Sequence, residues 1–137
     1  MSERDLDVVV FGATGITGRQ VCRYLADRVT SDGPRWAAAA RDLGKLGRVL
    51  GEVGVVPPET VIADVNDPAS LAAMAARTKV VLNLAGPYTL YGQPVIEACV
   101  SNGAHYVDLT GEIPFVRHMI DLYDARAREA GVKVVQV

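Results

Sequence analysis

Short apolar runs alternate with amphipathic stretches along the chain. An uncharged run bounded by polar or glycine residues reads as a strand buried on both faces, and apolar residues at helical spacing read as a helix lying on such a sheet. On this basis Asp7–Phe11 is a first strand and Gly15–Val29 a first helix, with Val21, Cys22, Leu25 and Val29 on its inner face. The turn Ser31-Asp32-Gly33-Pro34 leads to a second strand, Trp36–Ala40, and a glycine-studded helix near Leu43–Leu50. Val53–Pro58 reads as a loop and Thr60–Ala63 as a third strand. Asp67-Pro68 has the form of an N-cap and first helical residue, opening a helix to about Arg77. A fourth strand at Lys79–Leu84, a helix at Gly92–Asn102 stopped by Gly103, and a fifth strand at His105–Leu109 follow. The last helix, Pro114–Ala130, turns Val116, Met119, Ile120 and Tyr123 inward and ends at Gly131, before a sixth strand at Val132–Val137.

This succession predicts an α/β fold with a parallel sheet covered on both faces. Right-handed crossovers give the strand order 3-2-1-4-5-6 of a Rossmann-type, doubly wound sheet. Such sheets bind ligands beyond the carboxyl ends of their strands, where the order reverses between strands one and four. The expected strand ends carry Gly12-Ala13-Thr14, Arg41-Asp42, Asp64-Val65, Ala85-Gly86-Pro87-Tyr88 and Asp108-Leu109-Thr110-Gly111-Glu112. Polar and glycine-rich residues therefore collect on one rim, and ordinary turns on the other.

The first of these ends is Val8-Val9-Val10-Phe11-Gly12-Ala13-Thr14-Gly15-Ile16-Thr17-Gly18, an apolar run broken by three glycines at three-residue spacing. Gly12 permits the sharp turn, Gly15 lets backbone approach a pyrophosphate, and Gly18 lets the helix pack closely. Thr14 and Thr17 add hydroxyls that can donate to phosphate oxygens. The spacing differs from G-x-G-x-x-G, and no Gly-Lys-Ser/Thr closes the loop, which excludes a nucleotide-triphosphatase phosphate loop. A carboxylate ending strand two selects NAD, whereas a 2′-phosphate needs a cation there. Arg41, with Lys45 close behind, favours NADP, and Asp42 favours NAD if the strand runs one residue longer. The alternative is that Asp42 caps the next helix and Arg41 is merely solvated. Asp64 and Val65 stand where an adenine is expected, Asp64 serving either its amine or the local backbone.

Composition narrows the class. With 137 residues, half of them hydrophobic, the chain suits one domain with a sizeable core. A formal net charge of −2 gives no reason to expect nucleic acid or an anionic membrane as partner. No apolar run is long enough to span a bilayer, and Met1-Ser2-Glu3-Arg4-Asp5 does not resemble a signal peptide. Cys22 and Cys99 fall on apolar stripes without metal-ligand spacing, so the expectation is a cytoplasmic, metal-free protein with buried thiols.

Four segments together resemble the N-terminal domain of the saccharopine dehydrogenase-like oxidoreductases, in particular the branch containing the mycobacterial trans-acting enoyl reductases. They are Val10–Gly18, Ala40-Arg41-Asp42 with Lys45-Leu46, Asn83–Tyr88 with Tyr91-Gly92, and Tyr106–Glu112. The resemblance implies an NADP-binding domain with pyrophosphate on Gly12–Gly18, 2′-phosphate on Arg41, and Ala85, Gly86, Pro87 and Tyr88 along the nicotinamide half. It implies hydride transfer to a C=C or C=N bond. Members of that family continue into a second, substrate-binding domain, whereas this sequence stops at Gln136-Val137. Catalysis is then expected to be incomplete without a substrate domain from another chain or a homodimer partner.

No residue is assigned a catalytic role. Asp108 and Glu112 lie near the expected nicotinamide position, but each has a structural alternative, Asp108 as loop anchor and Glu112 as cap of the last helix. Tyr88 and Tyr91 either donate protons or wall the cleft, and an exposed apolar surface is expected around Phe115, Pro87 and Tyr88. His105 and His118 lie away from the rim. None of the five tyrosines opens a Tyr-x-x-x-Lys pair, which removes the dyad of ordinary short-chain carbonyl reductases. A non-catalytic NADP-sensing module of the NmrA-like kind is the alternative function.

Overall fold

The computed structural model of the chain describes residues 4–137. In β1 (Leu6–Phe11), Val9 and Phe11 enter one apolar cluster while Val10 enters another, as the two-residue period of a strand requires. The neighbouring β2 (Trp36–Ala40) divides in the same way, with Ala37 and Ala39 on one side and Trp36, Ala38 and Ala40 on the other. Alanine is a poor strand former, and here burial on both faces overrides that preference.

Four further strands, β3 (Thr60–Ile62), β4 (Thr78–Asn83), β5 (His105–Asp108) and β6 (Val134–Gln136), complete a parallel sheet in the order β3-β2-β1-β4-β5-β6. The expected fold class is therefore observed. Helices α1 (Ile16–Arg28) and α2 (Leu43–Glu52) cover one face through Cys22, Leu46 and Leu50. Helices α3 (Pro68–Arg77), α4 (Tyr88–Asn102) and α5 (Ile113–Ala130) cover the other through Leu71, Met74, Ile96, Cys99, Met119 and Tyr123. Register sets Ala39, Phe11, Asn83, Asp108 and Gln136 in one row at the carboxyl end of the sheet.

Three expectations need correction. Helix α4 begins at Tyr88, one turn before Gly92, because a carboxylate from elsewhere in the chain caps it (described below). The inner face of α5 is rotated: Phe115, Met119, Tyr123 and Ala127 are buried, and Ile120 is exposed. Phe115 turns inward because Gly92 on α4 leaves room for its ring. β6 is shorter than Val132–Val137, since Val132 is buried directly after the αL cap at Gly131.

Arg4 ties the far rim together. Its guanidinium donates to the carbonyl oxygens of Ala75 (2.6 Å) and Thr78 (3.0 Å), and also to that of Asn102. It thereby satisfies carbonyls left unpaired at the ends of both α3 and α4.

Two glycines in helices are expected to respond oppositely to alanine. A Cβ at Gly92 would lie 2.4 Å from Cζ of buried Phe115, so Gly92→Ala should destabilise by about 1–3 kcal/mol. A Cβ at Gly47 meets nothing within 4 Å, so Gly47→Ala should stabilise by about 0.5–1 kcal/mol. Urea titrations of both variants check the pair of signs.

Candidate dinucleotide-binding site

β1 gives way to α1 through a turn with no spare space. Gly12 has φ +82°, and a Cβ there would lie 2.8 Å from the Ala85 nitrogen. The turns after β1 and β4 are thus in backbone contact, joined also by the bond from Leu84 N–H to the Phe11 carbonyl (2.9 Å). A Cβ at Gly18 would lie 2.2 Å from the Gly12 oxygen, so α1 backs directly onto the turn. Gly15 differs: an added Cβ there meets only the Gly12 oxygen, at 3.5 Å. It is the N-cap of α1 and supplies no side-chain cap to the first N–H groups of that helix.

β2 ends at Ala40, and the next two residues divide their work. The Asp42 carboxylate accepts from Lys45 N–H (3.0 Å) and caps α2. Arg41 and Lys45 are exposed and appear in none of the described salt bridges. Beyond β3, the Asp64 carboxylate accepts from Asn66 N–H (2.9 Å), and Asp64 N–H donates to the Ser70 hydroxyl (3.0 Å), which fixes that loop beside half-buried Val65.

A buried polar network holds the ends of β4 and β5. Asn83 accepts from Ala85 N–H (3.0 Å) and donates to the Tyr106 hydroxyl (3.1 Å). Tyr106 donates to Asp108 (2.6 Å), which also accepts from Thr110 N–H (3.0 Å). Burial pushes the Asp108 carboxyl and the Tyr106 phenol above their ordinary ranges. Asp108 is fully buried, so it anchors the loop and does not face the cleft. Glu112 is also a cap, but of α4 and not of its own helix. Its carboxylate accepts from Tyr88 N–H (2.8 Å), Thr89 N–H (3.1 Å) and the Thr89 hydroxyl. These bonds, the Thr89 hydroxyl foremost, hold its pKa below the usual carboxylate range.

A cleft of about 380 Å³ opens between these strand ends. Gly12, Thr14, Arg41, Lys45, Asp64, Val65, Ala85 and Gly86 line it, as does the helix-capping Asp42. Gly15, Ile16 and Thr17 are exposed at the start of α1, whereas Ala13 and Gly18 are buried beneath the turn. Pro87 is exposed outside the cleft. Tyr88 is buried against Phe115, and its hydroxyl donates to the Asn83 carbonyl (3.0 Å). The expected apolar surface around Phe115 and Tyr88 is therefore absent, and Leu90, Tyr91, Leu109 and Ile113 are the exposed apolar residues near that end. Phe11, Ala40, Ala63, Asn66 and Tyr91 also line the cleft, so of the two tyrosines expected at its wall Tyr91 stands there and Tyr88 does not. The first two are the last residues of β1 and β2, so register reasoning identifies them. Asn66 has no sequence signal beyond its place in a turn.

Residues 8–135 match the family described as the saccharopine dehydrogenase NADP binding domain. A trans-acting enoyl reductase of Mycobacterium ulcerans is 40% identical over 136 residues, covering 98% of this chain and 32% of the relative. One from Mycobacterium leprae is 38% identical, covering 97% and 32%. The chain thus spans about a third of the length of these relatives. Apo saccharopine dehydrogenase (L-Glu forming) from Saccharomyces cerevisiae has a similar fold, with TM-score 0.74 at 22% identity, covering 96% of this chain and 26% of that one. Citrobacter triphenylmethane reductase complexed with NADP(H) gives TM-score 0.67 at 24% identity over 95% and 48%. These likenesses speak to fold, and the family match speaks to descent: the chain belongs to the saccharopine dehydrogenase NADP-binding domain family.

Proposed function

We propose that this domain binds NADP(H) across the carboxyl rim of the sheet and serves a reductase acting on a C=C or C=N bond. The observation that carries the cofactor preference is the bond from Lys45 N–H to Asp42. It commits the carboxylate at the ribose corner to helix capping and leaves Arg41 and Lys45 to meet a 2′-phosphate. The open approach at Gly15 fits a pyrophosphate on the first turn of α1. Asp64 and Val65 then flank the adenine, and Ala85 and Gly86 lead toward the nicotinamide half, with Pro87 and Tyr88 supporting that wall. When bound, the reduced dinucleotide supplies a hydride. This chain's residues bind and orient it, and none of them is assigned to move a proton.

The mycobacterial relatives are trans-acting enoyl reductases, which supports the reaction class. Those relatives are about three times as long, which supports a substrate pocket completed by further polypeptide or by a second copy of the chain. The exposed Leu90, Leu109 and Ile113 supply an apolar rim for that contact. Cys22 and Cys99 are both free and buried, in keeping with a reducing, cytoplasmic setting. Among the described residues, no helix is long and apolar enough to cross a membrane.

Calorimetric titration should give NADPH about a tenfold to hundredfold advantage over NADH, the worth of one charge-assisted bond. Arg41→Ala should narrow that gap and leave NADH affinity nearly unchanged; equal affinities in the wild type would return the decision to Asp42. Gly15→Val should lose dinucleotide binding at an unchanged melting temperature, whereas Gly18→Ala should lower the melting temperature because its Cβ meets the Gly12 oxygen. The isolated chain should show no meaningful turnover of NADPH with small enals, imines or carbonyls, because a reacting carbon must be held about 3–3.5 Å from its partner in a water-excluded pocket. Rapid oxidation of NADPH in that assay would contradict the proposed need for further polypeptide.

A further inference from the structure

Arg19 is a cation placed one turn into α1, where the positive end of the helix dipole disfavours it. Its side chain points back toward the helix start, as helical side chains do. Nη2 donates to the Thr14 carbonyl (3.0 Å), and Nε donates to the Gly15 carbonyl (3.3 Å). No side chain caps the first N–H groups of this helix, and no acidic residue lies in its first turn.

Those two carbonyls belong to the consecutive peptide units that lead from the turn into α1. In a trans peptide the C=O and the following N–H point in opposite directions. The Thr14–Gly15 unit is held at both ends, by Arg19 at its oxygen and by the Gly12 carbonyl at its N–H (3.2 Å). The Gly15 oxygen accepts from the backbone N–H of Arg19 (3.0 Å) as well as from its Nε. The N–H of Ile16, in the same peptide unit, is therefore turned away from the helix body, at a residue 75% exposed. Thr14, whose carbonyl Arg19 holds, also lines the cleft.

We propose that Arg19 is a positioning residue for the dinucleotide: its forked guanidinium pins the Thr14 and Gly15 carbonyls so that the Ile16 N–H is aimed before the pyrophosphate arrives. This rests on the dinucleotide reading above and adds a residue outside the loop and the ribose corner. The device acts through geometry and not through direct contact with phosphate. A guanidinium can serve two carbonyls from one plane, and an ammonium of the same charge cannot reproduce that fork. Because the pyrophosphate is common to both dinucleotides, Arg19 governs affinity without governing selectivity.

Calorimetric titration of wild type, Arg19→Met and Arg19→Lys with NADPH and with NADH, well below the melting temperature of each protein, tests the proposal. Both variants should bind both dinucleotides about five- to tenfold more weakly, since loop order must then be acquired on binding, with the NADPH:NADH ratio unchanged. Wild-type affinity in Arg19→Lys would mean that charge alone suffices, and the positioning role would be wrong. Unchanged affinity in Arg19→Met would likewise overturn it, as would a collapse of selectivity in either variant. A wild-type protein that binds neither dinucleotide would refute the dinucleotide reading itself, and this inference with it.

Discussion

The backbone contact between the turns after β1 and β4 is the constraint on which the rest of the site depends. Gly12 faces the Ala85 nitrogen so closely that no side chain can stand between them. The contact occurs where the strand order reverses, so α1 leaves on one face of the sheet and α4 on the other. A crevice at that point follows from the topology, and its walls mix apolar residues such as Phe11 and Val65 with the charged Arg41, Asp42, Lys45 and Asp64. The glycines are first a packing solution: Gly18 makes room for the turn itself, and a Cβ at Gly15 would meet only the Gly12 oxygen, at 3.5 Å.

Behind the crevice, polar groups take over the work of apolar packing. Asn83, Tyr106 and Asp108 form a chain of bonds from the sheet row to the Ala85 amide, so the cleft wall is held from inside the protein. Glu112 ties the loop after β5 to the start of α4. These two carboxyls respond to acid in opposite directions. The depressed Glu112 favours the folded state above the ordinary carboxylate pKa, and that contribution is lost as pH falls through its folded value. The raised Asp108 favours the folded state when protonated, a contribution that fades as pH rises through its folded value. Both groups serve the scaffold.

Most of the fold was legible because two periods of apolar residues and a few glycines specify it locally. Sheet order followed from handedness once Val8–Phe11 and its counterparts were recognised as strands. What was not legible depended on distant partners. The first turn of α4 exists because Glu112, 24 residues away, caps it, and no local signal precedes Tyr88. The rotation of α5 is set by a void at Gly92 on another helix. Arg4 gives no sign in sequence that it closes two helices at once. At the site, sequence alone leaves both Arg41 and Asp42 as arbiters of cofactor choice, and the structure adds the bond by which Asp42 caps α2. Arg19 carries no local signal, since a lone arginine in an amphipathic helix ordinarily reads as solvated surface.

The central claim is that the carboxyl-rim cleft takes the dinucleotide with its 2′-phosphate at the start of α2. Amide chemical-shift mapping during titration with NADP⁺ tests this residue by residue. The account predicts perturbation of Gly12–Ile16, Arg41–Lys45 and Ala85–Gly86, with the α2 amides responding to NADP⁺ far more than to NAD⁺. Shifts confined to the opposite rim, around Thr30–Arg35, or an α2 response equal for the two dinucleotides, would contradict it.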